Sequence, residues 1–274
     1  MRFQYLGTGA SEGIPAAFCA CPVCTVAREK GGRNIRRRCS AIIDGKILID
    51  MTPDLWGAST ALGADLTHLT SILITHEHID HFYPSELIHL LPPYSLTVPE
   101  KKRALYAGAN VLARYETVVS REQRHEIETQ LSLHELKAFE SVDVDGFTVT
   151  PLLARHCPGA FVFLIEKDGK TLLYGNDSGY FPEKTWDFLQ NRKINMVSLD
   201  CNNPFNSDTP NHMCIEDTVT TRRRLFQLGC VEPSAKFYIT HISHVGGLNH
   251  EALQERMTLY GVAVAYDGLI VDIK

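Results

Sequence analysis

Apolar and polar positions along the chain fall into short runs rather than long periodic stretches. Runs rich in β-branched and aromatic residues recur at Phe3–Leu6, Ser40–Ile43, Lys46–Met51, Ser71–Thr75, Phe147–Leu153, Phe161–Glu166, Thr171–Gly175, Met196–Asp200, Phe237–Thr240 and Val262–Ala265, and each predicts a strand. Two pairs of runs are joined by Asp44-Gly45 and Asp168-Gly169, a dipeptide that tolerates the positive φ of a tight hairpin turn. Helices are expected between them, around Asp54–Leu62, Pro84–Leu91, Glu100–Ala113, Glu183–Asn191, Ile215–Leu228 and His250–Tyr260. The stretch Thr218–Phe226 is polar on one side and carries Val219, Leu225 and Phe226 on another, the pattern of a helix lying on a sheet. Hairpins mixed with helices predict an α/β layer architecture of two sheets sandwiched between helices. No repeat, low-complexity stretch or long linker divides the chain, so residues 1–274 read as a single domain.

Composition narrows the partners. With 44% hydrophobic and 22% charged residues the chain reads as an ordinary soluble protein. A formal charge of -5 gives no whole-molecule attraction for polyanions such as tRNA or duplex DNA. Two basic clusters, Arg33 with Arg36–Arg38 and Arg222–Arg224, read as solvated faces, although a phosphorylated or acidic substrate would suit the first. The N-terminus carries no apolar leader with a cleavage site, and no later run reaches the length of a membrane span, so a cytoplasmic location without membrane contact is expected. A homodimer is left open.

Candidate chemistry concentrates in Thr75-His76-Glu77-His78-Ile79-Asp80-His81, where four potential metal ligands follow an apolar strand within six residues. His76 and His78 can face one pocket by period two, and Asp80 and His81 can turn to a second position beside it. Imidazole and carboxylate together suit Zn, Mn or Fe, and two such ions can share one water. A dinuclear site needs further ligands. Three isolated candidates follow strands: His156, Asp177 in the sequence YGNDSG, and His241 in YITHISH. A second constellation, Cys19-Ala20-Cys21-Pro22-Val23-Cys24, offers three thiolates for a tetrahedral zinc in a loop near 19–24. His244, three residues beyond His241, is the candidate for the fourth corner, and four protein ligands would make that zinc structural. A metal-free redox or buried cysteine cluster is the alternative. Cys39, Cys157, Cys201, Cys214 and Cys230 read as small buried residues.

The order HxHxDH, His, Asp, His resembles the metallo-β-lactamase superfamily over nearly the whole chain. That resemblance implies an αββα four-layer sandwich with two divalent metals, Zn or Mn. His76, His78 and His156 would hold one, Asp80, His81 and His241 the other, and Asp177 would bridge. It also implies that Asp50, at the end of ILID, organises the site without ligating. Adding LGTG at Leu6–Gly9, the GIP at Gly13–Pro15, the CxCxxC, the RRRCS turn and the HxxH pair, the chain is similar to the PhnP-like cyclic phosphodiesterases of the carbon-phosphorus lyase pathway. In that group a histidine acts beside the scissile phosphate in an Asn-His context, which Pro210-Asn211-His212 matches. The resemblance therefore implies hydrolysis of a small phosphodiester, with Asp80 orienting the nucleophile and His212 donating a proton or anchoring phosphate. Phe82 and Tyr83 depart from the glycine-rich chain that commonly follows the motif, and place two aromatics near the metals, either to stack on a base or ring or to cover the core. Rival readings are a tRNA 3′-processing type of nuclease, which usually carries a basic glycine-rich arm, a thioester or lactone hydrolase, and a non-enzymatic metal-binding protein.

Overall fold

A computed structural model describes residues 1–97, 99–205 and 210–274. In chain order its strands are β1 (Arg2–Gly7), β2 (Ser40–Ile43), β3 (Ile47–Ile49), β4 (Ser71–Leu73), β5 (Arg103–Ala107), β6 (Leu131–Glu135), β7 (Val142–Val144), β8 (Phe147–Leu153), β9 (Phe161–Lys167), β10 (Lys170–Gly175), β11 (Ile194–Asp200), β12 (Val231–Thr240), β13 (Ala263–Val264) and β14 (Ile270–Asp272). The helices are α1 (Pro22–Lys30), α2 (Leu55–Leu62), α3 (Ala109–Val118), α4 (Arg121–Ile127), α5 (Glu183–Leu189), α6 (Ile215–Gln227) and α7 (His250–Thr258), with a 3-10 helix over Pro84–Leu90.

Among the described residues the strands form two seven-stranded sheets, ordered β14-β1-β2-β3-β4-β5-β6 and β13-β12-β11-β10-β9-β8-β7. In each, one half is antiparallel and the other, linked by helical crossovers, is parallel. Alternation along the strands decides which layer each side chain joins. Ile47, Ile49 and Leu73 point between the sheets, where they meet Phe3, Tyr5, Phe147, Phe163 and Tyr174, whereas Leu48, Ile72 and Leu105 face outward beneath α2 and α3. Outside the second sheet, Val197, Leu199 and Ile239 pack under Trp186 of α5, Leu225 of α6 and Leu253 of α7. Full burial of a side chain the size of Trp186 is worth about 2–3 kcal/mol, so each helix is held chiefly by the face it turns inward. The result is the expected helix–sheet–sheet–helix sandwich.

Several elements differ from the sequence expectation. The stretch Glu100–Ala113, expected to be one helix, splits into β5 and α3 at Gly108. Its Lys, Arg, Ala and Leu residues favour a helix in isolation, but Arg103, Leu105 and Ala107 alternate onto the buried face beneath the helices while the strand pairs with β4 and β6, and sheet pairing overrides the local preference. The CxCxxC segment is not a loop throughout, since Pro22 opens α1 and Cys24 lies on it. A third Asp-Gly hairpin, Asp145-Gly146 between β7 and β8, takes φ of 54° and 78° and was equally readable from its dipeptide. No helix among the described residues is long and apolar enough to cross a membrane.

Candidate metal centre

Side chains with the chemistry of a metal site leave the sheets at one edge. Strands β3, β4, β8, β10, β11 and β12 end there, and Asp50, His76, His156, Asp177, Asp200 and His241 stand at or just beyond those ends. Open α/β sheets commonly bind ligands outside the carboxyl ends of their strands. Asp50, Asp177 and His241 adopt positive φ of 62°, 49° and 58°. Such backbone costs an L-residue energy and is held only where the surrounding fold fixes it, as at functional sites.

Three overlapping groups of ligand atoms form in the pocket, the third of them His156, Asp177 and His212. His76, His78 and His156 converge in the first, with His76 Nε2 and His156 Nε2 each 3.0 Å from His78 Nδ1. Asp80, His81, Asp177 and His241 converge in the second. Asp177 stands between these two: its Oδ2 is 3.8 Å from both His76 Nε2 and His156 Nε2 and 3.2 Å from His81 Nε2, while its Oδ1 is 2.9 Å from His241 Nδ1. The histidines and aspartates singled out in the sequence for this centre are thus brought together in one pocket, with His212 beside His156 and Asp177.

The residues fit divalent metals on their own evidence of geometry. His81 Nε2, Asp177 Oδ1 and His241 Nδ1 are buried and have no partner in hydrogen-bonding orientation, although His241 Nδ1 and Asp177 Oδ1 are close. Lone pairs aimed at a shared point rather than at each other are what a cation between them would satisfy. Burial lowers the pKa of His76 well below the usual histidine value and that of His156 to about 4, which keeps both rings neutral and able to donate a lone pair. Burial also works against charge on His81, but Asp177 and Asp50 outweigh it and raise its pKa.

Supporting contacts fix the rings. Asp50 Oδ2 accepts a hydrogen bond from His81 Nδ1 at 2.7 Å and its carboxylate also holds Thr75 N and Oγ1, so one buried acid anchors both His81 and the strand end that launches the motif. His212 lies at the rim, its ring stacked on His241 at 5.2 Å between centroids and edge-on to His156 at 4.8 Å. Its Nδ1 donates to Asp200 Oδ2 at 2.6 Å, which leaves Nε2 free. Burial opposes protonation of His212, but the Asp200 carboxylate overrides it and raises the pKa. Sequence reasoning gave Asp200 no role; its signal was a strand-terminal acid of the same kind as Asp50 and Asp177.

The cysteine segment meets His244 at a separate place. Cys19, Cys21 and Cys24 Sγ lie 3.4, 3.2 and 3.5 Å from His244 Nδ1, and all four ligand atoms fall within 4.8 Å of one another. Zinc bonds of about 2.3 Å to sulfur and 2.0–2.1 Å to nitrogen fit inside such a group. Glu12, also unassigned from sequence, places Oε1 3.6 Å from His244 Nε2 and accepts from Ser243 Oγ, the kind of carboxylate that orients a ligating imidazole.

Burial decides one open reading and revises another. Phe82 is fully buried among Leu6, Ile42 and Leu48 and cannot stack on a substrate; only Tyr83 retains partial exposure. The first arginine cluster is not one solvated face, since only Arg33 is exposed, over the Tyr266 ring. Arg36 is buried, donating to Thr8 Oγ1 and the Ala265 carbonyl with its Nη2 3.0 Å from His250 Nδ1, while Arg37 pairs with Asp267 and Arg38 with Asp54. These arginines clamp the β1–β2 connection. The LGTG motif belongs to the same packing, because a side chain at Gly7 would run into the Arg38 carbonyl. In the second cluster, Arg224 pairs with Glu183 over Trp186 and Arg222 lies over Phe226.

Comparison with known proteins agrees with this architecture. The chain is 29% identical over its whole length to an octanoyltransferase of Porphyromonas gingivalis, but spans only 52% of that relative. Among solved structures, a diphosphatase of the PhnP family superposes with a TM-score of 0.76 at 24% identity, covering 100% of this chain and 98% of the other. Zinc-bound PqqB of Methylobacterium extorquens gives 0.76 at 19% identity over 99% and 100% of the two chains, and the short form of human tRNase Z gives 0.68 at 17% over 100% of both. At these identities the structural likenesses establish the fold. A family described as the beta-lactamase superfamily domain matches residues 46–242, a span that runs from β3 through the HxHxDH motif, His156 and Asp177 to His241. With that match covering most of the chain and a His/Asp cluster that fits a dinuclear centre, this protein belongs to the metallo-β-lactamase superfamily, whose fold binds divalent metals.

Proposed function

We propose that the chain hydrolyses small phosphoric esters, cyclic phosphodiesters foremost, at the His/Asp pocket. The observation that carries this reading is the His212–Asp200 pair beside the cluster, a proton donor held at 2.6 Å by a buried carboxylate where a leaving oxygen would depart. Two divalent metals, Zn or Mn, held by His76, His78 and His156 and by Asp80, His81 and His241 with Asp177 between, would supply charge neutralisation and a water acidified toward neutral pH. Asp80 keeps its carboxylate ionised, because His81 lowers its pKa against the pull of burial, and can orient the attacking water. His212, which groups with His156 and Asp177, would deliver the proton from Nε2, while Asp200 fixes the tautomer. The cysteine–histidine group would hold a structural zinc.

The diphosphatase among the structural neighbours supports a phosphoric substrate. The tRNA-nuclease reading is weakened because Arg36, Arg37 and Arg38 are engaged within the fold and the net charge is -5. Hydrolysis of an acyl thioester is a second reading, favoured by the name of the longer Porphyromonas gingivalis relative. Metal-replete protein assayed with bis(p-nitrophenyl) phosphate, 2′,3′-cyclic nucleotides and octanoyl thioesters separates the two. Diester turnover that falls on His212→Asn is expected; turnover of thioester alone would replace the phosphoesterase reading.

A further inference from the structure

Outside the His/Asp pocket, the helical layer over the first sheet contains a cavity of about 700 Å³ between α2 and the 3-10 helix Pro84–Leu90. Its floor is apolar, formed by Leu48, Met51, Leu55, Leu69, Ile72 and Leu90, while Asp65, Glu86 and His89 add polar lining. That size falls in the range of small-molecule sites. At its mouth stands Trp56, 77% exposed, with Tyr94 also exposed nearby.

The two carboxylates of the lining are engaged, Asp65 by Thr67 and Glu86 by His89, but its one arginine is not. Arg103 is only 9% exposed, at the start of β5 on the same outward face as Leu105. Its Nε donates to the Leu69 carbonyl at 3.0 Å. Among the described residues, neither Nη atom has a hydrogen-bond acceptor and no carboxylate lies within 4 Å of the guanidinium. Burial lowers its pKa, and no neighbouring charge acts in the other direction. A cation drawn out of bulk water is ordinarily paired, whereas here the two Nη groups keep an accessible edge open to a ligand. With Nε occupied, the two Nη groups remain as an end-on fork that matches the two oxygens of one carboxylate.

We propose that this cavity binds an amphiphilic carboxylate, with its apolar body between α2 and the 3-10 helix and its head on the Arg103 fork. Recognition requires both parts. An apolar ligand without the anion leaves the fork unpaired, and an anion without the body leaves the walls in water.

Trp56 supplies the readout, since the only other tryptophan, Trp186, is fully buried under the opposite sheet. Metal-replete protein is titrated with octanoate, octanol and octylamine below their aggregation limits while Trp56 fluorescence is followed. Octanoate is expected to bind saturably and about tenfold or more tighter than either uncharged or cationic analogue, the margin of a charge-assisted hydrogen-bonded pair. Arg103→Met should abolish that preference while retaining octanol binding. Arg103→Lys, which keeps the charge without the fork, should retain only part of it. Equal affinity for the three analogues in the wild-type chain, which requires no variant to fold, overturns the proposal. So does octanoate binding that survives Arg103→Met unchanged or that leaves Trp56 unaffected.

Discussion

The cysteine–histidine group draws three of its four ligands from six consecutive residues, Cys19 to Cys24, whereas the His/Asp pocket gathers its side chains from strand ends spread between His76 and His241. One depends on a loop, the first turn of α1 and a short reach from His244. The other depends on both sheets holding their register, and on backbone at Asp177 and His241 that the surrounding fold must enforce. They also differ in closure. Four ligand atoms around one point leave no room for substrate, while His78 is exposed and His212 stands at the rim of the larger pocket. Ligand type alone therefore does not separate a structural from a reactive site; the way the fold delivers the ligands does.

Changes in the two regions should consequently fail in different ways. Asp177→Asn removes the carboxylate shared by both histidine groups, and diester turnover should fall on the order of 10³-fold while the metal at the cysteine group remains. Metal analysis beside the rate checks this, and retention of two pocket metals at the wild-type rate would contradict it. His212→Asn should lower kcat about 10²-fold for a diester with a poor leaving group and far less for p-nitrophenolate, which departs without a proton. Equal losses on both substrates would instead make His212 an anchor or a ligand.

Cys24→Ser should act in the opposite sense. One metal is lost, the pocket retains its own, and the midpoint of thermal unfolding drops by about 5 °C or more, because a structural zinc contributes folding energy directly. Unchanged metal content and stability would favour the metal-free reading of the cysteines. The smallest effect lies away from both sites. Burial, reinforced by Arg36, lowers the pKa of His250 to about 4, below its unfolded value near 6.5. Between these values the unfolded chain binds the additional proton, so stability present above pH 6.5 is lost as pH falls toward 4. His250→Gln should remove on the order of 1 kcal/mol of that loss at pH 5, measured by denaturant unfolding at pH 5 and 8.

How much of this was legible in the sequence follows the same division. Cys19, Cys21 and Cys24 are visible because they are adjacent, and His244 could be proposed from its offset to His241. The layered fold was legible because Ile47–Ile49 and Phe161–Glu166 have no other means of burial than a sheet. The two ligand groups of the pocket were not derivable from spacing, since His156, Asp177 and His241 are each a lone polar residue after a strand. Only the resemblance assembled them. Asp200 and Glu12 escaped because their work is done through His212 and His244, contacts that exist only once distant strands are neighbours. Glu100–Ala113 was misread for a related reason: its local preference for helix yields to pairing with strands far along the chain.

The most direct test is to locate the metals by anomalous scattering in crystals of the metal-replete protein. Three ions per chain are expected. Two would lie about 3.5–4 Å apart, one among His76, His78 and His156 and one among Asp80, His81 and His241, with Asp177 touching both. The third would sit within Cys19, Cys21, Cys24 and His244. A single ion in the pocket, or a pair that Asp177 does not join, would contradict the dinuclear centre on which the proposed hydrolysis rests.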